Sequence, residues 1–527
     1  MKKHSSWISA LMAAVLTLVL AVSWSQPAQA SDTLKIGMEA NYAPYNWTQT
    51  TSANGAVKID GTSSYANGYD VKIAKIIAKK LGKKVIVEKT QWDGLLPALT
   101  SGKIDLIIAG MSPTAERRKA INFTSPYRTT NFVVIVNKHS KYAKAKYLTN
   151  FKGAKLTAQQ GTLHYDLIKQ LPGAKREPAS KDFAAMRESL EAGTIDGYVA
   201  EDTELTSFQM MDSNITGVNL SKMKGFKVSS SDAEVSIGVK KGNDQLLSQV
   251  NKVLAGISTS ERNKLMKEAV QQQPQTSTKK ENWLVSMLKN YGQMILEGIG
   301  MTLLISLVGT IAGFFIGLLV GIVRTIPEPK NKFKKGLLAF CKWLLSVYVE
   351  IFRGTPMMVQ AAVIYYGIAQ FWHINLNRTV AALIIVSINT GAYLAEVIRG
   401  GIISTPKGQF EAASALGMTH NQRMWSIILP QAIRNCLPSI TNEFIVNIKD
   451  TSVLSIISVS ELFFVGSTIA SQSFQFFQTY LVISVIYLFL TFTITRIFNL
   501  IEKHIEGPEN YNMMANQVQV GKQEGDK

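Results

Sequence analysis

Two kinds of hydrophobic pattern divide this chain. Beyond about residue 291 the apolar positions run on with almost no polar relief. Residues 294–323 carry one charge, Glu297, and residues 354–377, 379–395 and 462–495 carry none. About 20 such residues suffice to cross a bilayer as a helix. Five spans are read from this pattern, at about residues 294–323, 338–371, 379–399, 437–459 and 478–499. The second is too long for one simple crossing, so residues 337–350 are expected to tilt or to lie at the interface. Glu443, Lys449 and Asp450 interrupt the fourth, where charge is costly and marks a functional candidate. Glu443 and Asn447 stand four apart on one helix face and are expected to line a substrate passage, the alternative being a hydrogen-bond network that ties helices together.

Between residues 32 and 270 the period keeps switching. Residues 34–36, 85–87, 106–108, 133–136 and 235–239 read as short strands. Val71, Ile73, Ala74, Ile76, Ile77 and Leu81 repeat at helical spacing, with Asp70 placed as an N-cap. Leu246, Leu247, Val250, Val253, Leu254 and Ile257 form a second stripe. Strands alternating with helices imply an α/β architecture, and about 240 residues suit two lobes of roughly 120 each. Residues 271–290 read as a linker and pre-membrane segment, polar at first and holding one proline.

The ends and the loops set an orientation. Residues 1–30 read as an export signal, with Lys2 and Lys3, an apolar run over residues 8–22 and the small-residue site Ala28-Gln29-Ala30. Arg324, Lys330, Lys332, Lys334 and Lys335 follow the first span, and such an excess marks the cytoplasmic side. Residues 31–270 are therefore expected outside the cell and the tail, 506–527, inside. Charged residues are only 18% of the chain and hydrophobic ones 46%, which excludes a disordered chain and an ordinary cytosolic enzyme. The formal charge of +19 fits an anionic membrane surface better than nucleic acid, since no basic stripe with interleaved aromatics is present. Both cysteines, Cys341 and Cys436, lie in the apolar half, so the exported region has no disulfide. The sequence has no G-x-x-x-x-G-K-[ST] loop, metal-ligand cluster or nucleophile–base pair, so no catalytic residue, metal or cofactor is expected.

Specific stretches then carry a resemblance. "LKIGMEANYAPYNW", "GYDVKIAKIIAKKLG", "WDGLLPALTSGKIDLIIAGMSPTAERRKAINFTSPY" and "DGYVAE" resemble the polar-amino-acid branch of bacterial extracellular solute-binding proteins. The resemblance implies an α/β two-lobed, periplasmic-binding-protein-like clamp (type II) over residues 31–270 that closes on one amino acid. It also implies roles. Arg117 would hold the α-carboxylate, because a guanidinium offers two parallel donors. Ser112 and the backbone of Gly161 and Thr162, at a helix start, would meet the same group. Glu201 would take the α-ammonium from the facing lobe, with the carbonyl of Gly110 as second acceptor. Tyr42 and Trp92 would sandwich the side chain. Glu39 would meet its far end, either as acceptor for a glutamine amide or as counter-charge to a cation. Glutamine is the first expectation and arginine or lysine the alternative.

"EAASALGMTHNQRMWSIILP" resembles the EAA loop of ABC importer permeases, and "FRGTP", "AYLAEVIRGGI" and "KDTSVLSIISVSEL" resemble its polar-amino-acid branch. This implies an all-α transmembrane ABC importer permease domain of five helices over residues 291–505, with a cytoplasmic EAA loop at 401–430. Glu411, Ala412, Ala413 and Gly417 would dock a separate ATPase subunit. Such importers use twice this number of spans, which implies a homodimer. A ligand-gated channel built on the same clamp is the rival reading, but here the clamp sequence is uninterrupted and no pore-filter motif occurs. A kinase-linked sensor would need a signalling tail, and an enzyme on the clamp fold would need an acid or base in the cleft.

Overall fold

The computed structural model describes residues 32–506 apart from 211, 221–224, 274–281 and 474. The expected export signal, the middle of the expected linker and the tail beyond 506 lie outside the described residues. Alternation drives the first strand, β1 (Thr33–Met38): Leu34, Ile36 and Met38 face the core at 0–1% exposure while Lys35 is exposed. Beside it lie β6 (Lys84–Lys89), β7 (Leu106–Ile107), β16 (Gly238–Val239) and β8 (Asn122–Phe123), in the sheet order β6-β1-β7-β16-β8. β1 pairs parallel with β6 and β7, while β16 runs antiparallel to its neighbours. A small antiparallel sheet of β2 (Asn41–Tyr42), β3 (Asn46–Gln49), β5 (Tyr65–Asn67) and β4 (Val57–Lys58) completes this first lobe.

The second lobe has its own five-stranded sheet: β12 (Lys175–Arg176), β11 (Lys155–Thr157), β13 (Gly197–Glu201), β10 (Phe132–Asn137) and β14 (Ile215–Asn219), in that order. The chain crosses between the lobes twice, and the two crossings pair as β9 (Arg128–Thr129) with β15 (Glu234–Val235). Residues 235–239, expected as one strand, are therefore divided between the crossover and the first sheet. Helices α1 (Tyr69–Lys80), α2 (Trp92–Thr100) and α3 (Ala115–Ala120) belong to the first lobe. To the second belong α4 (Leu163–Leu167), α5 (Phe183–Glu191) and α6 (Asp202–Gln209). The chain returns to the first lobe with α7 (Asp244–Ala255) and α8 (Thr259–Gln272). Asp70 is not a cap. Gly68 is the N-cap of α1, and Asp70 is buried, accepting from Asn46 at 2.8 Å and from the Tyr127 hydroxyl at 2.7 Å.

The membrane part opens with α9 (Trp283–Thr325), whose 43 residues extend about 65 Å, twice the ~30 Å hydrocarbon core. It packs along α12 (Arg378–Ser404) through a stripe of glycines. Cβ atoms at Gly309, Gly313, Gly317 and Gly321 would meet Val386, Thr390, Ala395 and Ile398 in turn, so the two helices run parallel. Replacing Gly317 by leucine would push a Cβ to 2.8 Å from the backbone of Ala395. Such overpacking should lower stability by about 3 kcal/mol, read as a lower melting temperature in nanodiscs. At Gly300, where nothing lies within 4 Å, leucine should change it by less than about 0.5 kcal/mol.

The expected second span is two helices, α10 (Lys332–Gly354) and α11 (Met357–Trp372). Pro356 causes the break, since it has no N–H to donate and disfavours helical backbone at Thr355. α11, at 16 residues, reaches only about 24 Å. Further on lie α13 (Lys407–Ala415), α14 (His420–Arg423), α15 (Leu429–Asp450), α16 (Leu462–Ser473) and α17 (Phe476–Glu506). Among the described residues three helices, α9, α12 and α17, are long and apolar enough to cross alone. A fourth crossing is counted if the 420–457 segment and α16, bent by 58°, act as one. The five separate spans read from hydropathy are thus not reproduced one for one. At the bend Glu461 caps α16, accepting from the backbone of Phe463 at 2.8 Å and Phe464 at 2.7 Å.

Candidate functional site

The residues expected to hold a ligand converge where the two lobes meet. Arg117 rises from the first turn of α3 and is 9% exposed. Its Nη1 donates to the Ser112 carbonyl at 2.8 Å, and its Nη2 reaches across to the Gly161 carbonyl of the other lobe at 2.9 Å. Its guanidinium lies 5.0 Å from the Trp92 ring centre. Burial pushes Arg117 down to about 10, so it stays charged at neutral pH. Gly161 has φ +67°, a left-handed turn that glycine takes without strain, and it delivers the chain to Thr162, the N-cap of α4. The Thr162 hydroxyl is occupied, donating to the Gln159 carbonyl at 2.6 Å. Gly110, at φ +62°, sits so close to Tyr42 that a Cβ would come within 2.9 Å of its ring.

Two further contacts close the lobes on each other. Tyr42 stacks on Phe183 with ring centres 4.4 Å apart and planes 3° from parallel. The Gln159 amide donates to both oxygens of Glu39, at 3.1 and 3.3 Å. Burial pushes the Glu39 carboxyl up to about 8, opposed by the Gln159 hydrogen bond and raised further by Asp182 and Asp93.

Glu201 ends β13 and is fully buried. The Thr203 hydroxyl donates to its carboxylate at 3.4 Å, and His164 Nε2 lies 3.9 Å away. Its Oε1, the hydroxyls of Tyr42 and Tyr45 and both ring nitrogens of His164 are buried without a hydrogen-bond partner in good geometry. Polar groups so placed are costly unless a ligand answers them. Burial pushes Glu201 up to about 7, against the pull of the Tyr45 and Tyr42 hydroxyls facing it. Burial, and then the charge of Arg117, pushes His164 down to about 3, so it is neutral. The neighbouring Asp202 is spoken for, accepting from Thr130 and Asn131 at the crossover.

A cationic group beside Glu201 needs its charged form, so ligand affinity should rise with pH through about 7. From pH 8 to pH 6 the loss should approach tenfold. Glu201→Gln should flatten that profile in calorimetric titrations of the full chain.

Every expected clamp residue, Glu39, Tyr42, Trp92, Gly110, Ser112, Arg117, Gly161, Thr162 and Glu201, thus belongs to this junction. Tyr45, Gln159, His164 and Phe183 join it without having been singled out. His164 and Gln159 flank the Gly161-Thr162 turn, which was the available signal.

In the membrane part Asn447 bonds Thr310 at 2.9 Å and Thr390 at 2.9 Å, tying α15 to α9 and α12. These are the contacts of a helix clamp and favour that role over a passage. Glu443 lies one turn away, half-buried. Glu411, Ala412 and Gly417 are exposed, while Ala413 is buried. Gly417, at φ +71°, turns the chain between α13 and α14, and Leu416 beside it is 79% exposed. This surface and the basic 326–335 loop lie at the C-terminal ends of α9 and α12; the lobes sit at the opposite end, where Ser63 donates to Glu297 at 2.6 Å.

Two families match this chain. Residues 34–272 match bacterial extracellular solute-binding proteins, family 3, and residues 335–507 match the binding-protein-dependent transport system inner membrane component. The glutamine transport system permease protein GlnP of Escherichia coli (strain K12) is 34% identical over 218 residues, 40% of this chain and 93% of that protein. The L-cystine transport system permease protein TcyB of Bacillus subtilis (strain 168) is 35% identical over 198 residues, 37% of this chain and 82% of the relative. The arginine transport system permease protein ArtQ of the same organism is 29% identical over 212 residues, 40% of this chain and 92% of the relative. Among solved structures, an ancestral arginine-binding protein bound to glutamine is 29% identical, covering 46% of this chain and 98% of that one, with a TM-score of 0.38.

Proposed function

This chain belongs to the amino-acid ABC importer permeases, with a family 3 solute-binding domain on the same polypeptide, and we propose that it captures glutamine outside the cell and passes it inward. The observation that carries the substrate is at Glu39. An amide, that of Gln159, already donates to both its oxygens, and burial raises its carboxyl to about 8. A carboxyl held toward its neutral form still accepts from an amide, but it offers a full counter-charge only once a cation has drawn off its proton. Arg117 takes the α-carboxylate and Glu201 the α-ammonium, drawing the lobes together. A ligand that touches both lobes favours the closed clamp by its differential affinity alone.

Two features support the orientation. The basic loop after α9 and the EAA surface share one end of the bundle, and the clamp sits at the other. A separate ATPase is proposed to dock on Glu411, Ala412, Gly417 and the exposed Leu416, since the sequence has no phosphate-binding loop of its own. The exposed apolar face of α17, with Leu481, Leu488, Phe489 and Phe492, suits lipid and a second copy of the chain. Two copies would give two clamps per transporter, each held at high local concentration by its tether.

The test is titration of the full chain in nanodiscs with glutamine, asparagine, glutamate, arginine, lysine, histidine and cystine, for the parent and Glu39→Gln. Glutamine should bind most tightly, and Glu39→Gln should weaken it by about tenfold, the worth of one hydrogen bond to a charged or polar partner. Arginine or lysine binding most tightly, with Glu39→Gln costing far more, would move the substrate to the basic amino acids.

A further inference from the structure

The strand that leads into the amino-acid site also carries the contacts to the membrane helices. Glu88 and Lys89 end β6, and three residues later Trp92 opens α2 beside Arg117 and Gly161. Glu88 pairs with Arg378, at the start of α12, at 2.5 Å. Arg378 also donates to the Lys89 carbonyl at 3.1 Å. Lys89 itself is 4% exposed and turns its ammonium toward three oxygens. Two belong to its own lobe, Asn41 Oδ1 and Thr48 Oγ1, each at 3.1 Å. The third and shortest contact, 2.7 Å, is Thr468 Oγ1 on α16, itself 3% exposed. An ammonium has three donors, and these three oxygens satisfy them; burial pulls Lys89 down to about 7, opposed by the charges of Glu39 and Asp182. Asn41 adjoins Tyr42 of the site. Between Lys89 and the site lies a small cavity lined by Glu39, Trp92 and Asp182 on the clamp side and by Phe464, Ser467 and Thr468 on the membrane side.

The membrane helix touches the other lobe as well: the Lys181 ammonium lies 5.6 Å from the Phe463 ring centre. A surface that grips both lobes distinguishes one lobe separation from another. Here that separation is the closed one, with Arg117 on Gly161 and Tyr42 on Phe183.

We propose that Thr468 is a positioning residue for amino-acid capture: it completes the buried Lys89 site, so that docking on α16 and closure of the clamp on its ligand reinforce each other. This rests on the amino-acid reading of the clamp. Coupling between two binding events is reciprocal, so a change confined to a membrane helix should alter affinity for the amino acid. Thr468→Val keeps the shape and removes the oxygen.

The experiment is calorimetric titration of the full chain in nanodiscs with L-glutamine, and with L-arginine in parallel. The proteins are the parent, Thr468→Val, Thr468→Ser, Lys89→Met, Lys89→Met with Thr468→Val, and Arg117→Ala. Thr468→Val should weaken binding of the preferred amino acid by about five- to tenfold. Thr468→Ser should stay within twofold of the parent, and the double variant should bind no worse than Lys89→Met alone. Thr468→Val within twofold of the parent overturns the proposal. So does Thr468→Ser losing as much as Thr468→Val, which would assign the effect to packing. If the parent binds neither amino acid, or Arg117→Ala binds equally well, the clamp reading fails and the coupling fails with it.

Discussion

Arg117→Ala is expected to abolish amino-acid capture while leaving the chain folded in the membrane. The guanidinium is buried, aromatic on one side, and already directs two N–H groups at oxygens on both lobes. A ligand carboxylate placed there is desolvated, and losing its partner in such a pair costs about 2–5 kcal/mol. At about 1.4 kcal/mol per decade this is a loss of roughly thirtyfold to several thousandfold in affinity. Arg117→Lys should recover only part of it, because an ammonium cannot reproduce the planar fork. Equilibrium binding to the full chain reads both, and an unchanged melting temperature separates lost contact from lost fold.

The opposite split is expected at Gly417→Val. The φ of +71° at this turn is strained for any β-branched residue, at about 1–3 kcal/mol. Relief of that strain would swing α13 and Leu416 relative to α14. Uptake should then fall below about a tenth of the parent, if the turn presents the surface to an ATPase with the precision that coupling requires. Amino-acid binding by the clamp, at the other end of the bundle, should stay within about twofold. Gly408→Val is the control, because Gly408 lies within α13 with open space around it. Uptake and binding measured on the same three preparations would show whether the two ends separate as expected.

The site residues were named by the resemblance rather than by local pattern, since an arginine after a helix start, a glycine after a strand end or a tryptophan opening a helix is a weak signal alone. The structure brings these three together where the lobes meet. Asp70 shows where a local rule loses. An acid at a helix start suggests a cap, but buried partners from residues 46 and 127 claimed it. The split of the second span into α10 and α11 was visible as Pro356, yet hydropathy averages over a single proline. Asn447 was expected in a passage because an amide in an apolar span marks a pathway as readily as a tie, and only its bonds to two other helices favour the tie. Lys89 and Thr468 could not have been paired at all, since 379 residues separate them and neither belongs to a pattern. His164 and Gln159 lay within reach of a known turn, but nothing in their spacing sets them apart from ordinary surface polar residues.

The most direct test of the whole account is accumulation of labelled glutamine by membrane vesicles that contain the full chain together with the ATPase subunit proposed to dock on it. ATP on the cytoplasmic face should drive accumulation above the external concentration, and Arg117→Ala and Gly417→Val should each prevent it. Equilibration without ATP, or an ion current opened by the amino acid, would contradict the importer and favour a channel built on the same clamp.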